Sequence, residues 1–161
     1  MDNIIKVGMA DLQSSRHPCI LTTLGLGSCV GVALYDRISK ISGLAHIMLP
    51  SSLQAKNAMN IAKFADTAID KLLNDMLILG ANRKTIVAKL AGGAQMFLFE
   101  SASDIMRIGE RNVLASLEKL KELDIPVVSS DTGGRYGRTI ELHSDNGKLI
   151  IKTIGHGIKE I

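Results

Sequence analysis

Apolar positions along this chain fall into blocks of two lengths, and each length predicts a different element. Short apolar runs of strand length occupy residues 4–9, 19–21, 30–35, 41–49, 85–90, 125–129, 139–143 and 148–154. Residues 60–79 and 110–123 instead repeat apolar side chains at the i, i+3, i+4, i+7 spacing of an amphipathic helix. In the second of these, the predicted buried face carries Val113, Leu114, Leu117 and Leu120.

Polar turns between these runs predict how the elements connect. Residues 36–39 have the size of a hairpin turn between two apolar strands, and Asn146-Gly147 tolerates the positive φ of a second hairpin. Gly80 predicts the end of the first helix. Strands joined mostly by hairpins, together with two long helices, predict a single α+β domain over residues 1–161 with mixed or antiparallel sheets.

Composition narrows the class of protein. A chain of 161 residues with 46% hydrophobic and 22% charged residues is long and apolar enough for a real core, which must be aliphatic because aromatics are 3%. The net charge of +3 is scattered along the chain, which does not favour nucleic acid. No run reaches the roughly 18 apolar residues of a membrane span. Residues 1–18 do not resemble a secretion signal, so we expect a cytoplasmic protein with two free thiols.

One predicted hairpin brings a cysteine and a histidine together. If Tyr35 pairs with Lys40 across a four-residue turn, Cys29 lies directly opposite His46. Opposed residues share a face with Cβ atoms about 4.5–5.5 Å apart, so His46 could take the thiol proton and hold Cys29 as a thiolate. A shift of one residue would put the two side chains on opposite faces.

The segment before Cys29 is rich in glycine. Gly25, Gly27 and Ser28 would let backbone N–H groups approach an oxyanion closely, since glycine has no Cβ. The sequence therefore favours nucleophilic catalysis by Cys29, with backbone amides near Gly27 and Ser28 as oxyanion donors. The alternative is that Cys29 is an inert buried residue and His46 a hydrogen-bonded core histidine.

Three other motifs in the sequence do not support a specific function. Gly25 and Gly27 do not start a dinucleotide-binding motif, because the third glycine is missing and a strand follows where that motif needs a helix. The segment 131–133, Asp-Thr-Gly, is similar to the catalytic turn of aspartic proteases but is explained more simply as a turn. His17 and Cys19 have ligand types that suit zinc together with Cys29 and His46, yet no C-x-x-C pair supports a metal site.

Six blocks together resemble one family. They are TLGLGSCVGVALYD (23–36), GLAHIMLP (43–50), KFADTA (63–68), KLAGGAQMF (89–97), IGERNV (108–113) and DTGG (131–134). In this order, and over nearly the whole chain, they are similar to CheD, the chemoreceptor glutamine deamidases of bacterial chemotaxis. That family is in turn similar in fold and dyad to the cytotoxic necrotizing factor toxins. The resemblance implies a sandwich of mixed sheets with flanking helices.

The resemblance also implies roles for particular residues. Cys29 would be the nucleophile, His46 the general base and acid, and Thr23 the residue that orients the imidazole. Thr132 and Gly133 would border the substrate cleft. Met96 and Phe97 would belong to a surface for CheC, a phosphatase of the response regulator CheY.

The implied reaction converts glutamine side chains of methyl-accepting chemotaxis receptors to glutamate through a thioester. Hydrolysis of glutamyl methyl esters is a plausible side reaction of the same site, and no metal or organic cofactor is implied. The competing interpretation is a chemotaxis adaptor that holds receptors and CheC and has weak chemistry.

Overall fold

A computed structural model describes residues 3–53, 59–96 and 107–161. Within these ranges, ten strands form two five-stranded sheets, accompanied by two long helices. The strands are β1 (Asn3–Lys6), β2 (Leu12–Ser15), β3 (Cys19–Leu26), β4 (Val30–Asp36), β5 (Ser42–Ile47), β6 (Ile86–Gly92), β7 (Val127–Thr132), β8 (Arg138–His143), β9 (Leu149–Thr153) and β10 (Gly157–Glu160). The helices are α1 (Ala65–Leu79) and α2 (Ile108–Glu122).

Both sheets are mixed. The first has the order β1-β3-β8-β9-β10, and the second has the order β2-β5-β4-β6-β7. Each sheet contains one parallel pair, β1 with β3 and β6 with β7, while the other pairs are antiparallel. The predicted α+β class with mixed sheets is therefore confirmed.

Strand β4 separates two hydrophobic cores. Its even-numbered residues, such as Val32, pack with α1 in a core between the helices and the second sheet. Its odd-numbered residues, such as Ala33, pack against Leu21 and Ile140 of the first sheet. Because both faces are covered, all seven residues of β4 are buried, and the sequence shows a continuous apolar run instead of an alternation.

The hairpin of β4 and β5 differs from its predicted register. Val30 lies opposite Ile47 and Gly31 opposite His46, so the direct opposition of Cys29 and His46 is wrong by two residues. A shift by an even number leaves every side chain on its predicted face. Cys29 and His46 are thus diagonal neighbours on one face instead of direct partners.

A buried carboxylate explains the shift. Asp36 is fully buried and ends β4, and its carboxylate accepts hydrogen bonds from Thr85 Oγ1 (2.6 Å), Ser39 Oγ (2.7 Å), Asn82 N (2.8 Å) and Ile38 N (3.0 Å). Burial alone would raise the pKa of Asp36, but these four bonds outweigh it and lower the pKa to about 2. The turn therefore starts after Asp36.

Helix α2 bears out only part of its predicted buried face: Leu120 is buried, and Val113 packs partly buried against the core. Leu114 and Leu117 are 58% and 37% exposed. Besides Leu120, the buried positions of the helix are Gly109, Asn112 and Ser116. Gly109 is needed at this face because a Cβ there would come within 2.6 Å of the Gly93 carbonyl oxygen. Small and polar residues thus bring the helix close to the loop after β6.

Several strands also differ from the sequence prediction in their presence or in where they end. The sequence did not predict β2 and β10, which are four residues long and have no fully buried residue, so they leave no apolar run. Strand β7 continues through Thr132, although residues 131–133 were predicted to be a turn. Gly80 ends α1 as predicted, with φ of 112°. No helix in the described ranges is long and apolar enough to cross a membrane.

Candidate active site

Three predicted site residues lie in the layer between the two sheets. Cys29 lies one residue before β4 and is 8% exposed, in the core that the sheets share. His46 lies on β5, on the same face as Leu44 of that core, and is fully buried. Thr23 lies on β3 of the opposite sheet and is 1% exposed. The candidate site is therefore assembled from both sheets.

The hydrogen bonds of Thr23 indicate which tautomer His46 adopts. Thr23 Oγ1 donates to the Val7 carbonyl oxygen at 2.7 Å and also lies 2.7 Å from His46 Nδ1. A hydroxyl has one proton, and a carbonyl oxygen can only accept, so the proton is used on Val7. Nδ1 of His46 must then be the donor to Thr23. This leaves Nε2 of His46 as the unprotonated nitrogen, the one that can accept a proton.

The accepting nitrogen of His46 is not used elsewhere. Nε2 is buried and has no hydrogen-bond partner among the described residues. Directly opposite His46 stands Gly31, where a Cβ would come 3.1 Å from Leu26 Cδ1 and nearer still to Ile140 Cδ1. Since Gly31 has no side chain, nothing from that position separates His46 from its diagonal neighbour Cys29. Diagonal neighbours are within reach of a long side chain.

Burial shifts both titrating groups toward their neutral forms. Burial raises the pKa of the Cys29 thiol, although the backbone N–H of Cys29 partly opposes the shift. Burial also lowers the pKa of His46. At neutral pH, before substrate binds, Cys29 is therefore a thiol and His46 a neutral imidazole. The sequence had instead suggested that His46 holds Cys29 as a thiolate. Such a pair would transfer its proton as the sulfur attacks.

The backbone of the loop before Cys29 is held at three successive carbonyl groups. The Gly27 carbonyl accepts from Ala94 N at 2.8 Å and the Cys29 carbonyl from Gly93 N at 2.8 Å, while the Ser28 carbonyl accepts from the side chain of Asn112 at 3.0 Å. The amide of Gly27 donates to the Gly25 carbonyl at 3.0 Å, so it is not free for an oxyanion. This leaves the amides of Ser28 and Cys29 as the candidate oxyanion donors.

A surface cleft of about 260 Å³ lies beside this loop. Gly133 N donates to the Gly92 carbonyl at 3.0 Å, and Gln95 N donates to the Gly134 carbonyl at 2.9 Å, so the predicted cleft segment is joined to the segment that holds Cys29. Charged side chains from α2 and the residue before it complete the lining. The lining residues are Gly93, Gln95, Arg107, Glu110, Val113, Thr132, Gly133 and Gly134.

Known proteins match this chain over its whole length. A family model described as CheD chemotactic sensory transduction matches residues 48–153. A probable chemoreceptor glutamine deamidase CheD from Caldanaerobacter subterraneus is 59% identical over 158 residues, 98% of each chain. A chemoreceptor glutamine deamidase CheD from Halalkalibacterium halodurans is 53% identical over 162 residues, covering 100% of both chains. The chain belongs to the CheD family.

A further relative and a solved structure are also similar to this chain. The probable chemoreceptor glutamine deamidase CheD of Lachnoclostridium phytofermentans is 55% identical over 161 residues and also covers 100% of both chains. These full-length CheD matches include the residues before position 48, where Thr23, Cys29 and His46 lie. The crystal structure of the Bacillus licheniformis hypothetical protein YfiH superposes with a TM-score of 0.49 at 16% identity, covering 83% of this chain and 60% of its own.

The predicted partner surface of this CheD chain is described only in part. Met96 is 46% exposed, and its Cγ lies 3.2 Å from the point that a Cβ on Gly27 would occupy. Met96 therefore covers the loop that leads to Cys29. Phe97 lies outside the described residues.

The candidate metal ligands do not form a cluster. His17 Nδ1 is hydrogen-bonded to Ser144 Oγ at 2.8 Å, and the amide of the buried Cys19 donates to the same oxygen at 2.8 Å. Within residues 3–53, 59–96 and 107–161, no group of three or more His, Cys, Asp or Glu side chains could hold a metal ion. His17 and Cys19 instead belong to a hydrogen-bonded network around Ser144.

Asn112 contacts the site but was not singled out from the sequence. It is a buried polar residue of α2 whose amide reaches the chain on both sides of the open end of the β4–β5 hairpin. The available signal was its spacing from Gly109, Ser116 and Leu120, which together mark one face of the helix. The exposed Leu114 and Leu117 obscured that pattern.

The bond between Thr23 and His46 leads to a prediction. We expect Thr23→Val, which keeps the shape but removes the hydroxyl, to lower kcat for glutamine deamidation by about 10- to 100-fold. The reason is that Nδ1 loses its acceptor, so the proton is no longer kept off Nε2. Steady-state kinetics on a receptor fragment would measure this. Thr22→Val is the matched control, because Thr22 Oγ1 donates to the Ile140 carbonyl and is not bonded to His46. Equal losses in both variants would contradict an orienting role for Thr23.

Proposed function

We propose that this protein is a chemoreceptor glutamine deamidase, an amidohydrolase that uses Cys29 as its nucleophile. The observation that carries the proposal is the hydrogen bond from His46 Nδ1 to Thr23, which leaves Nε2 as a base on the face that Cys29 shares. Three relatives at 53–59% identity over nearly their full lengths are named chemoreceptor glutamine deamidases or probable ones. The substrates would be glutamine side chains of methyl-accepting chemotaxis receptors, reached from the cytoplasm.

The first half of the reaction forms a thioester. Cys29 Sγ attacks the side-chain carboxamide carbon of the receptor glutamine while its proton passes to His46 Nε2. The carbonyl oxygen becomes an oxyanion, which accepts hydrogen bonds from the amides of Ser28 and Cys29. When the intermediate collapses, the C–N bond breaks and His46 gives its proton to the departing ammonia.

The second half releases glutamate. Water attacks the thioester carbon, and His46 Nε2 takes a proton from it. The C–S bond then breaks, and the proton returns to the Cys29 sulfur. The net change is glutamine plus water to glutamate plus ammonia, which restores the neutral thiol and imidazole that burial favours. A glutamyl methyl ester would follow the same steps with methanol as the leaving group.

A second candidate function is that of an adaptor for receptors and CheC. The observation in its favour is that Met96 is exposed and packs over Gly27 at the approach to the site. CheC would bind at Met96 and at Phe97, which lies outside the described residues. An adaptor alone, however, gives no reason for a buried imidazole whose accepting nitrogen has no partner among the described residues.

The test is the intact mass of a receptor cytoplasmic fragment after incubation with the protein. Each deamidated glutamine adds about one dalton and releases one ammonia, so mass and ammonia should rise together. Peptide mapping would then identify the modified glutamines. An unchanged mass with the fragment still bound would contradict the deamidase proposal and favour the adaptor.

A further inference from the structure

The side chain of Asn112 joins both strands of the hairpin that carries Cys29 and His46. Its Nδ2 donates to the Ser28 carbonyl at 3.0 Å and to the Met48 carbonyl at 2.9 Å, which uses both of its protons. Ser28 immediately precedes Cys29, and Met48 follows His46 by two residues. Both bonds lie just beyond Val30 and Ile47, the last strand pair of the hairpin. Asn112 therefore closes the open end of this hairpin from α2.

Of the three carbonyl groups held around Cys29, only the middle one depends on a side chain. Backbone amides of Ala94 and Gly93 hold the Gly27 and Cys29 carbonyls, and Asn112 holds the Ser28 carbonyl. A trans peptide is planar, so its C=O and N–H point in opposite directions. Because Asn112 fixes the direction of the Ser28 C=O, it also fixes the direction of the Cys29 N–H.

Packing alone does not account for an asparagine at this position. Asn112 is fully buried, and its Oδ1 has no hydrogen-bond partner among the described residues. A buried acceptor without a partner destabilises the folded state, which an apolar side chain of similar size would avoid. The contribution of the Asn112 side chain at this site is therefore the pair of hydrogen bonds that Nδ2 donates.

We propose that Asn112 is a positioning residue that holds the Ser28–Cys29 peptide so that the Cys29 N–H faces the developing oxyanion. It does not touch the substrate and acts through that amide. The inference rests on the proposed deamidase function for the identity of the oxyanion, but not for the orientation of the peptide. The two parts can therefore be tested separately.

The kinetic test uses Asn112→Ala, with Ser116→Ala as its matched control. Ser116 is equally buried one turn further along α2, and its hydroxyl donates to the Asn112 carbonyl within the helix. We expect Asn112→Ala to lower kcat on a receptor fragment by about 10- to 100-fold, with KM changed by less than about 3-fold. Alkylation of Cys29 by iodoacetamide should change by less than about 3-fold, because substitution at a saturated carbon forms no oxyanion. Ser116→Ala should leave all three values near those of the wild type.

The orientation test does not depend on any activity. Hydrogen–deuterium exchange at the amides of residues 25–30 should be at least about 10-fold faster in Asn112→Ala than in the wild type or in Ser116→Ala. If the wild type does not deamidate receptors, the proposed function fails while this measurement still decides whether Asn112 holds the loop. Unchanged exchange, unchanged kcat, or parallel losses of kcat and alkylation would each overturn the inference.

A second variant covers the case in which Asn112→Ala does not fold. Asn112→Leu has a similar size and brings no charge into the buried site, but it has no proton to donate to Ser28 or Met48. Its kcat should fall by about 10- to 100-fold, as in Asn112→Ala, without the cavity that alanine leaves. A kcat equal to that of the wild type would overturn the inference.

Discussion

Replacing Cys29 by Ala should abolish deamidation of receptor glutamines. Without the sulfur no thioester forms, and the remaining amides and imidazole leave a rate lower by on the order of 10⁴-fold or more. The measurement is ammonia release together with the intact mass of a receptor cytoplasmic fragment. The folded state should persist, because the substitution removes one atom from a residue that already lies at the edge of the core, at 8% exposure.

The second cysteine supplies the control for this prediction. Cys19 is buried at 2% exposure on β3, in the same core, and it is hydrogen-bonded to Ser144 through its backbone amide and its backbone carbonyl. Cys19→Ala should therefore retain deamidation at near the wild-type rate. If Cys29→Ala still deamidates at that rate, the nucleophile is a different group and the proposed mechanism is wrong. If Cys19→Ala loses activity as completely, the loss reports damage to the shared core instead.

Replacing His46 by Gln should lower kcat/KM by about 10³-fold and change its pH dependence. In the wild type, burial lowers the pKa of His46, so the basic form persists to a lower pH than for an ordinary histidine near about 6.5. The acid limb of kcat/KM should therefore lie below that value. In His46→Gln this limb should disappear, because glutamine does not titrate. A pH series of initial rates on one receptor fragment would measure both effects.

His143 is the matched control for His46. It lies on β8, and its Nε2 is 3.3 Å from Glu141 Oε1, a partner that does not belong to the site. His143→Gln should keep both the rate and the acid limb. An acid limb that persists unchanged in His46→Gln would show that a different group titrates, and it would remove His46 from its role as base.

The fold class and most strands could be predicted because the apolar runs and turn residues are local signals. The register of the β4–β5 hairpin could not, because it is decided by contacts of Asp36 with Thr85 and Asn82, which lie more than 45 residues away. A polar residue before a turn has the same appearance in the sequence whether it is buried or exposed. The register error was even, so the shared face of Cys29 and His46 survived it.

The candidate site shows the same division between local and distant information. Cys29 and His46 belong to one hairpin, and their shared face follows from the two-residue period of strands. Thr23 is on the other sheet, and only the family resemblance placed it beside His46. Asn112 was missed because the prediction assigned only apolar residues to the buried face of α2, whereas the small residues Gly109 and Ser116 share that face with Leu120 and allow the helix to approach.

The hydrogen bond between Thr23 and His46 joins the two sheets. The proton transfer by His46 is therefore sensitive to the relative position of the sheets. A displacement of one layer by about 1 Å along this bond would stretch a 2.7 Å contact beyond hydrogen-bond length while leaving every strand ladder intact. Histidine would then lose its fixed tautomer in a molecule whose secondary structure is unchanged. The rate of deamidation therefore depends on the relative position of the two sheets. A protein that binds to one sheet and displaces it could change this rate without contacting Cys29.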